Sequence, residues 1–315
     1  MYTGIDIGGT KCAVISADEN GNITNKIKFP TTTVSETIEN IIKGVHELGC
    51  GKAIGISCGG PLDSKKGVIL SPPNLPGWDD IHIGEMLENE FGVPVAIQND
   101  ANACALAEWK FGAGIGCEKM IFLTFATGHG AGLILDGRLY SGTNDMAGEV
   151  GHIRLSGFGP VGYGKAGSFE GYCSGGGIAK LAQTIATEYL QMGKSVSFCK
   201  TFADLNDITA KSVAEAALSG DEAAIRVYDM CAEKLGTGLS ILIDILNPER
   251  IVIGSIFQRS ENLLREKMQA VIDRETLAYS NKVCSVVPAK LGDNIGDVAA
   301  ISVAALALEK ENSND

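Results

Sequence analysis

The segment Tyr2-Thr3-Gly4-Ile5-Asp6-Ile7-Gly8-Gly9-Thr10-Lys11 decides the fold class of this chain. Its apolar run over residues 2–7 ends in a glycine turn, and a second apolar run follows over residues 12–15. This order predicts a β-hairpin whose turn offers backbone N–H groups and the Thr10 hydroxyl to a phosphate. The glycine spacing is similar to that of a P-loop. However, the threonine precedes the lysine and no helical pattern follows, which excludes a Walker A site.

A carboxylate stands beside this turn, because Asp6 is the penultimate residue of the first apolar run. Magnesium in proteins keeps several waters and takes few carboxylates, so Asp6 is a candidate to orient Mg²⁺ through water. The alternative is an ordinary acidic residue next to a turn.

A similar pattern recurs over residues 120–135, where an apolar run at 121–125 precedes Thr127-Gly128-His129-Gly130 and a further apolar run at 133–135. Two strand-turn-strand loops of this kind predict two similar halves that clamp a nucleotide across a cleft. His129 is unusual in a phosphate-binding turn. We expect a solvent-exposed loop histidine, with a phosphate-facing cation as the alternative.

A second acidic residue marks the junction between a strand and a helix. Asp100 follows the apolar run at 94–98 and precedes a helical pattern that begins near residue 103. Such junctions line the crevice in which α/β proteins bind ligands, and a carboxylate there can accept a proton. Asp100 is therefore the catalytic candidate. The alternative is a purely structural N-cap, a position that aspartate favours.

Residues 247–255 join a long helical pattern to a buried strand and a glycine turn at Gly254. Because glycine tolerates close approach of a ligand to the backbone, this turn is a candidate for contact with a base or ribose.

Together these stretches resemble the ROK family of sugar kinases and regulators, within the actin-like ATPase superfamily. The matches cover nearly the whole chain in the family's order: 6–11, 55–63, 74–78, 99–102, 124–132, 147–152, Glu170 and 247–254. The resemblance implies an α/β protein with the two-domain actin-like ATPase (ribonuclease H-like) fold and a cleft between the domains. It places the domains at 1–115 plus about 296–315, and at 116–295.

The same resemblance implies an ATP-dependent kinase that transfers the γ-phosphoryl group to a hexose hydroxyl, usually at carbon six. Asp100 takes the position of the general base. The positions that hold the sugar are Gly60, Asn99, Asp100, Glu149, His152 and Glu170. The positions that hold ATP and Mg²⁺ are Asp6, Gly8, Gly9, Thr10, Lys11, Thr127, Gly128, Gly130 and Gly254, with Asp6 next to the metal. A sugar presents a ring of donor and acceptor hydroxyls, which carboxylates, an amide and an imidazole can bind.

One segment departs from the family pattern. The family's zinc-binding run, Cys-x-Cys-Gly-x-x-Gly-Cys-x-Glu, corresponds here to residues 161–170, and its cysteine positions hold Val161, Tyr163 and Ser168. Without thiolates a tetrahedral structural zinc has no ligand set, so no zinc is expected. We expect the loop to keep its shape through Gly164, Gly167 and aromatic packing of Tyr163 and Phe169. The alternative is a degenerate loop that no longer binds sugar.

Smaller departures lie in the nucleotide-binding segments, where Ala126 and Ala131 occupy positions at which the family often has glycine, and Ser255 follows Gly254 where a second glycine is common. We expect the loops to survive if these residues avoid positive φ.

Glucose is the expected substrate, because residues 74–78 (Asn-Leu-Pro-Gly-Trp) are most similar to the glucokinase version of this loop. N-acetylmannosamine is the alternative, since some kinases of that sugar also lack the zinc cysteines. Fructose, mannose and β-glucosides remain open, and a non-catalytic sugar sensor is less favoured. The family's repressors have a helix-turn-helix domain before the kinase-like fold; here the first motif begins at Asp6, so a regulator is not expected.

Composition limits the remaining classes. The chain has 315 residues, 45% of them hydrophobic, which is enough for two ordinary domains. Its net charge of −12 disfavours non-specific nucleic-acid binding. Nine scattered cysteines and no apolar run of about 20 residues predict a cytoplasmic protein with reduced thiols and no membrane span. Cys58 is either reactive or a small buried residue, and a homodimer is expected.

Periodicity predicts further elements. We expect a third strand at 23–29, a helix at 36–48 capped by Ser35 and ended at Gly49, and a short strand at 52–57. A hinge is predicted near the glycine-dense residues 112–116. Long helices are predicted at 221–246 and 293–309, followed by a frayed polar tail at 310–315.

Overall fold

A computed structural model describes residues 1–312 as an α/β protein. The strands are β1 (Tyr2–Ile7), β2 (Lys11–Ala17), β3 (Ile23–Pro30), β4 (Ile54–Cys58), β5 (Leu62–Asp63), β6 (Val68–Ile69), β7 (Val95–Asn99), β8 (Met120–Leu123), β9 (Ala131–Leu135), β10 (Arg138–Tyr140), β11 (Val161–Gly162), β12 (Lys165–Ala166), β13 (Arg250–Ile253) and β14 (Ser285–Pro288).

The α-helices are α1 (Val34–Leu48), α2 (Ile83–Phe91), α3 (Asp100–Phe111), α4 (Phe169–Tyr172), α5 (Gly175–Gln191), α6 (Ala210–Leu218), α7 (Glu222–Leu246), α8 (Ile256–Glu275), α9 (Ala278–Val283) and α10 (Ile295–Asn312). Short 3₁₀ helices cover Val150–His152, Phe202–Asp207 and Gly292–Asn294.

The first sheet has the strand order β3-β2-β1-β4-β7. β1, β2 and β3 form an antiparallel meander, while β4 and β7 are parallel to β1. In register, Ile7 pairs with Cys58 and Cys58 pairs with Asn99. Because these three parallel strands end together, the segments that follow them begin at one edge of the sheet.

Helix α10 packs on this sheet through small residues. A Cβ added to Gly55 of β4 would lie 2.1 Å from the Ala304 backbone nitrogen, so no larger residue fits there. Ala299, Ala300 and Ala304 of the helix are fully buried. The close approach explains why an alanine-rich helix, with little bulky apolar surface, can still cover the sheet.

The described residues divide into two compact units: unit 1 comprises 1–122, 132–147 and 290–312, and unit 2 comprises 123–131 and 148–289. Unit 1 contains the first sheet and a core that includes Ile5, Ile56 and Trp78. Unit 2 contains the long helix α7, which contacts α8, α5 and α6. The predicted domain limits stay a prediction.

A second five-stranded sheet has the order β10-β9-β8-β13-β14. In it β9 and β10 form an antiparallel hairpin, and β13 and β14 are parallel. Within residues 1–312, no helix has the length and apolar character required to cross a membrane.

Most predicted elements are present, with corrected ends. The Thr33 hydroxyl, not Ser35, caps α1: it accepts a hydrogen bond from the Glu36 N–H at 3.4 Å, and Ser35 lies inside the first turn. Gly49 ends the helix as predicted. The predicted helix at 293–309 begins as a 3₁₀ turn and extends to Asn312, so a frayed tail from residue 310 is wrong up to that point. Residues 313–315 lie outside the described part.

Candidate active site

Three candidate segments of unit 1 meet at one edge of the first sheet. β1 leads into Gly8-Gly9-Thr10, β4 into Gly59-Gly60, and β7 into Asp100. The register of the three parallel strands places these segments side by side. The structure therefore brings together the predicted phosphate turn, the predicted sugar loop and the catalytic candidate, as expected at the carboxyl ends of parallel strands.

The first phosphate turn is hydrogen-bonded to the protein at Gly8 and exposed to solvent at Gly9 and Thr10. The Gly8 N–H donates to the Lys11 carbonyl at 3.1 Å, and the Thr31 hydroxyl donates to the Gly8 carbonyl at 2.6 Å. Gly9 and Thr10 are exposed to solvent. A Cβ on Gly9 would lie 2.5 Å from the Asn74 carbonyl oxygen, so this position requires glycine. The arrangement leaves the Gly9–Thr10 end of the turn accessible to a phosphate.

Asn74 also connects the turn to the second segment. The Asn74 side chain lies 3.1 Å from where a Cβ on Gly59 would be, while its carbonyl faces Gly9. Gly60 has open space around it and is exposed. Cys58, before these glycines, is fully buried, and burial together with the Asp100 charge raises its pKa strongly. Cys58 is thus a small buried residue and not a reactive thiol.

Asp100 is the first residue of α3, and the helix cap is its neighbour. The Asn99 side chain accepts from the Asn102 N–H at 2.8 Å, so the structural interpretation of Asp100 as the N-cap is wrong. The Asp100 carboxylate accepts from the Ala101 N–H at 2.8 Å and reaches solvent. Protein atoms that enclose the carboxyl group raise its pKa. A carboxylate that reaches solvent and has a raised pKa is suited to accept a proton.

Asp6 has charged neighbours that the motif did not predict. Burial, and then the negative charges of Asp297 and Asp100, raise the pKa of Asp6 to about 6, opposed by Lys26 and Lys11. Lys26 of β3 forms an ion pair with Asp297 of α10. Both side chains come from regions outside every recognised motif, so no signal in the sequence indicated them.

The donor set around Asp6 fits a hard cation. The carboxylates of Asp100 and Asp297 act electrostatically on Asp6, and carboxylate oxygens are ligands that Mg²⁺ takes. Among residues 1–312, no group of three or more His, Cys, Asp and Glu side chains forms a metal site by itself.

In unit 2, the second turn is joined to a predicted sugar-binding carboxylate. The His129 N–H donates to Glu170 Oε2 at 3.2 Å, and a Cβ on Gly128 would lie 3.3 Å from the same oxygen. The Gly130 N–H donates to the Thr124 hydroxyl at 2.9 Å. The N–H groups of His129 and Gly130 thus bond to protein acceptors. Thr127 is the residue of this turn that is exposed to solvent.

His129 differs from both expectations. Its side chain is 4% exposed and packs against Phe169 at 4.3 Å and Phe125 at 5.7 Å between ring centroids. Burial lowers its pKa to about 3; the Cys173 backbone, which is near but not placed for a normal hydrogen bond, opposes this shift slightly. Within the described structure neither ring nitrogen has a hydrogen-bond partner. His129 is neither a solvent-exposed histidine nor a phosphate-facing cation.

The remaining predicted sugar ligands lie beside Glu170. Glu149 is the N-cap of the 3₁₀ turn Val150–His152 and His152 is its last residue. A Cβ on Gly151 of the same turn would lie 3.2 Å from the Glu170 Cβ. The Glu149 and His152 side chains are exposed. In unit 2 the 3₁₀ turn that carries Glu149 and His152 contacts α4, which carries Glu170. Glu170 in turn lies next to Gly128 and His129.

The cysteine-free loop forms a tight hairpin of β11 and β12. Tyr163 and Gly164 at its tip have φ of 42° and 75°, and Gly167 has φ of 67°. The predicted role of both glycines is confirmed, since this conformation favours glycine. Phe169 is fully buried, as predicted. Tyr163 is 78% exposed and only meets the His152 ring edge-on at 6.2 Å, so the prediction that it packs inside the loop is wrong.

The predicted base-binding turn follows β13. Asn247 ends α7 in the left-handed conformation. Gly254 is followed by Ser255, whose φ is 56°. Ala126 and Ala131 avoid positive φ within the described residues, as required, but Ser255 does not. A serine is therefore held in a conformation that costs L-residues free energy.

Comparison with known proteins identifies the family. The model of the ROK family matches residues 2–309. The chain belongs to the ROK family. A glucokinase from Halalkalibacterium halodurans is 32% identical over 99% of this chain and 96% of its own length. A ROK family glucokinase from Streptomyces griseus, solved with glucose and AMPPNP, has a TM-score of 0.75 at 30% identity and covers 97% of this chain and 99% of its own.

A ROK hexokinase from Thermus thermophilus has a TM-score of 0.80 at 28% identity, covering 98% of this chain and 99% of its own. These ROK relatives confirm the predicted α/β class and two-domain actin-like ATPase fold. They also confirm the predicted enzyme class, an ATP-dependent sugar kinase.

Proposed function

We propose that this ROK family member phosphorylates O6 of glucose, with Asp100 as the general base. The observation that carries the proposal is the position of Asp100 at the strand edge shared with Gly8–Thr10 and Gly59–Gly60. The choice of glucose is supported by the glucokinase relatives and by residues 74–78, whose Asn74 contacts both glycine segments.

The proposed reaction is a direct phosphoryl transfer. As the sugar O6 forms a bond to the γ-phosphorus, its proton passes to the Asp100 carboxylate, and the bond between the γ-phosphorus and the bridging oxygen breaks to release ADP. Phosphoryl transfer requires mostly positioning and neutralisation of charge. We assign phosphate contacts to Gly8, Gly9, Thr10, Lys11, Thr127, Gly128 and Gly130, and contact with the base or ribose to Gly254.

When bound at Asp6, Mg²⁺ would neutralise charge on the phosphates. Asn99, Gly60, Glu149, His152 and Glu170 are assigned to the sugar. The Glu170 carboxylate is oriented for this role by the His129 N–H. Carboxylates accept hydrogen bonds from sugar hydroxyls, and the exposed His152 ring can donate or accept.

A specific observation supports a second candidate substrate. Val161, Tyr163 and Ser168 replace the zinc cysteines of the family pattern. Because loss of these cysteines also occurs among some kinases of N-acetylmannosamine, that sugar is the alternative. We also propose a homodimer and a cytoplasmic location, the latter on the basis of nine free cysteines.

The test is a panel of ADP-release assays with ATP, Mg²⁺ and purified protein. Glucose, N-acetylmannosamine, fructose, mannose and a β-glucoside are compared by kcat/KM, and 6-deoxyglucose serves as the matched control for O6. The proposal expects the highest kcat/KM with glucose and no ADP release above background with 6-deoxyglucose. A higher value with N-acetylmannosamine selects the alternative, and turnover of 6-deoxyglucose excludes O6.

A further inference from the structure

The loop between His152 and Glu170 connects two residues that we assign to the sugar. Its two ends are paired: the Phe169 N–H donates to the Ile153 carbonyl at 2.8 Å, and the Leu155 N–H donates to the Gly167 carbonyl at 2.8 Å. His152 directly precedes this paired region and Glu170 directly follows it. The directions of the His152 and Glu170 side chains therefore depend on the hydrogen bonds that hold the loop of residues 153–169 together.

One buried hydroxyl fixes the far part of this loop. The Tyr172 hydroxyl donates to the Phe158 carbonyl at 2.9 Å and lies 2.9 Å from the Ser156 hydroxyl. A Cβ on Gly159 would lie 2.1 Å from the same hydroxyl oxygen, so the backbone rests directly on it. The Tyr172 ring is 6% exposed, whereas the Phe158 side chain is 89% exposed. The Phe158 backbone is thus held by Tyr172 and Ser156 and not by burial of its own ring.

Tyr172 also shares a helix with the residue that it would position. α4 is a single turn whose start is capped by the Ser168 hydroxyl, which accepts from the Gly171 N–H at 3.1 Å. Glu170 lies two residues before Tyr172 in this turn. The Tyr172 hydroxyl bond therefore connects the loop to the same helical turn that carries the Glu170 carboxylate.

We propose that Tyr172 is a positioning residue of the sugar site. Its hydroxyl closes residues 153–168 against α4 and so sets the orientation of Glu170 and His152. The inference rests on the proposed function, in which these two residues bind sugar hydroxyls. Glu170 and His152 would bind sugar hydroxyls equally in the ground state and in the transition state, so disturbing them is expected to raise KM more than it lowers kcat.

The test compares Tyr172→Phe with Tyr228→Phe, a matched control in the same unit. Tyr228 is 2% exposed, and its hydroxyl donates to the Ala210 carbonyl at 3.2 Å, away from the loop. Each variant removes one hydroxyl bond to a carbonyl from a buried tyrosine. Both are expected to lower Tm slightly. Tyr172→Phe alone is expected to raise the sugar KM about 10-fold with kcat within about 2-fold.

Hydrogen exchange gives a readout that does not require activity. Amides in the peptide covering residues 153–168 are expected to exchange faster in Tyr172→Phe than in Tyr228→Phe or the wild-type protein. An unchanged KM, or an equal rise in both variants, would overturn the inference. If the wild-type protein phosphorylates no sugar of the panel, the proposed function fails, and exchange alone decides: equal exchange in both variants refutes a positioning role for Tyr172.

Discussion

Replacing His129 with leucine is expected to make the protein more resistant to acid. In the folded protein burial lowers the pKa of His129 to about 3, whereas in the unfolded chain it is about 6.5. The unfolded state therefore binds more protons between these values, and the free energy of unfolding falls as the pH drops from 6.5 toward 3. Protonation of His129 therefore lowers the free energy of unfolding of the wild-type protein by about 1.4 kcal/mol between pH 7.5 and pH 5.5. The decrease reaches about 4 kcal/mol by pH 3.

The decrease of about 1.4 kcal/mol at pH 5.5 depends almost entirely on the pKa of His129 in the unfolded chain, because pH 5.5 lies well above the pKa of His129 in the folded protein. At pH 7.5 the leucine variant should have nearly wild-type stability. It removes two buried nitrogens without partners, which is favourable by about 1–3 kcal/mol. It also removes ring contacts with Phe169 and Phe125, which are worth about 0.5–1.5 kcal/mol per pair.

The assay is urea unfolding followed by far-ultraviolet circular dichroism at pH 7.5 and 5.5. Both pH values lie above the isoelectric point of about 4.9. The assay thus avoids the pH at which a protein is least soluble. The matched control is His46→Gln, which replaces an exposed histidine beside Glu90. The difference in unfolding free energy between the two pH values should shrink by about 1.4 kcal/mol in His129→Leu and should not shrink in the control. An unchanged difference in His129→Leu would show that the ring is not held neutral by burial.

Three further outcomes are expected. Asp100→Asn should lower kcat about 10²-fold or more with glucose binding by calorimetry largely retained, and a rate close to wild type would remove Asp100 from the role of base. The purified protein should contain no stoichiometric zinc, and strong chelation followed by restored Mg²⁺ should leave activity unchanged; about one zinc per chain by elemental analysis contradicts this. The free energy of unfolding in urea should be about 1 kcal/mol higher for Ser255→Gly than for Ser255→Ala. Both variants lose the hydrogen bond from Arg259 to the Ser255 hydroxyl, but only glycine relieves the strain of the positive φ. Equal unfolding free energies would argue against strain at this position.

The sequence by itself determined the fold class and the first hairpin. Alternating and continuous apolar runs determine strands by local chemistry, so the predicted limits of β1 are the observed ones. The helix predicted at 221–246 begins one residue before α7, because Asp221 is its N-cap. Spacing also put Asp100 at a strand-to-helix junction, because turn and cap residues act over a few positions. Helix ends were less predictable: serine is the better N-cap by residue type, but the backbone geometry selects Thr33 over Ser35.

Only the tertiary structure decided what surrounds those residues. Lys26 and Asp297 reach Asp6 from β3 and α10, and no local pattern joins residues so far apart in sequence. His129 resembles a loop histidine in sequence and becomes a neutral buried ring because Phe169 and Phe125 enclose it. Glu108 reads as a polar residue of a helix, yet it is fully buried and accepts from the N–H groups of Lys290 and Leu291 at 2.9 Å. Burial and pKa depend on which distant segments pack together, and that is fixed by the packing of the whole chain.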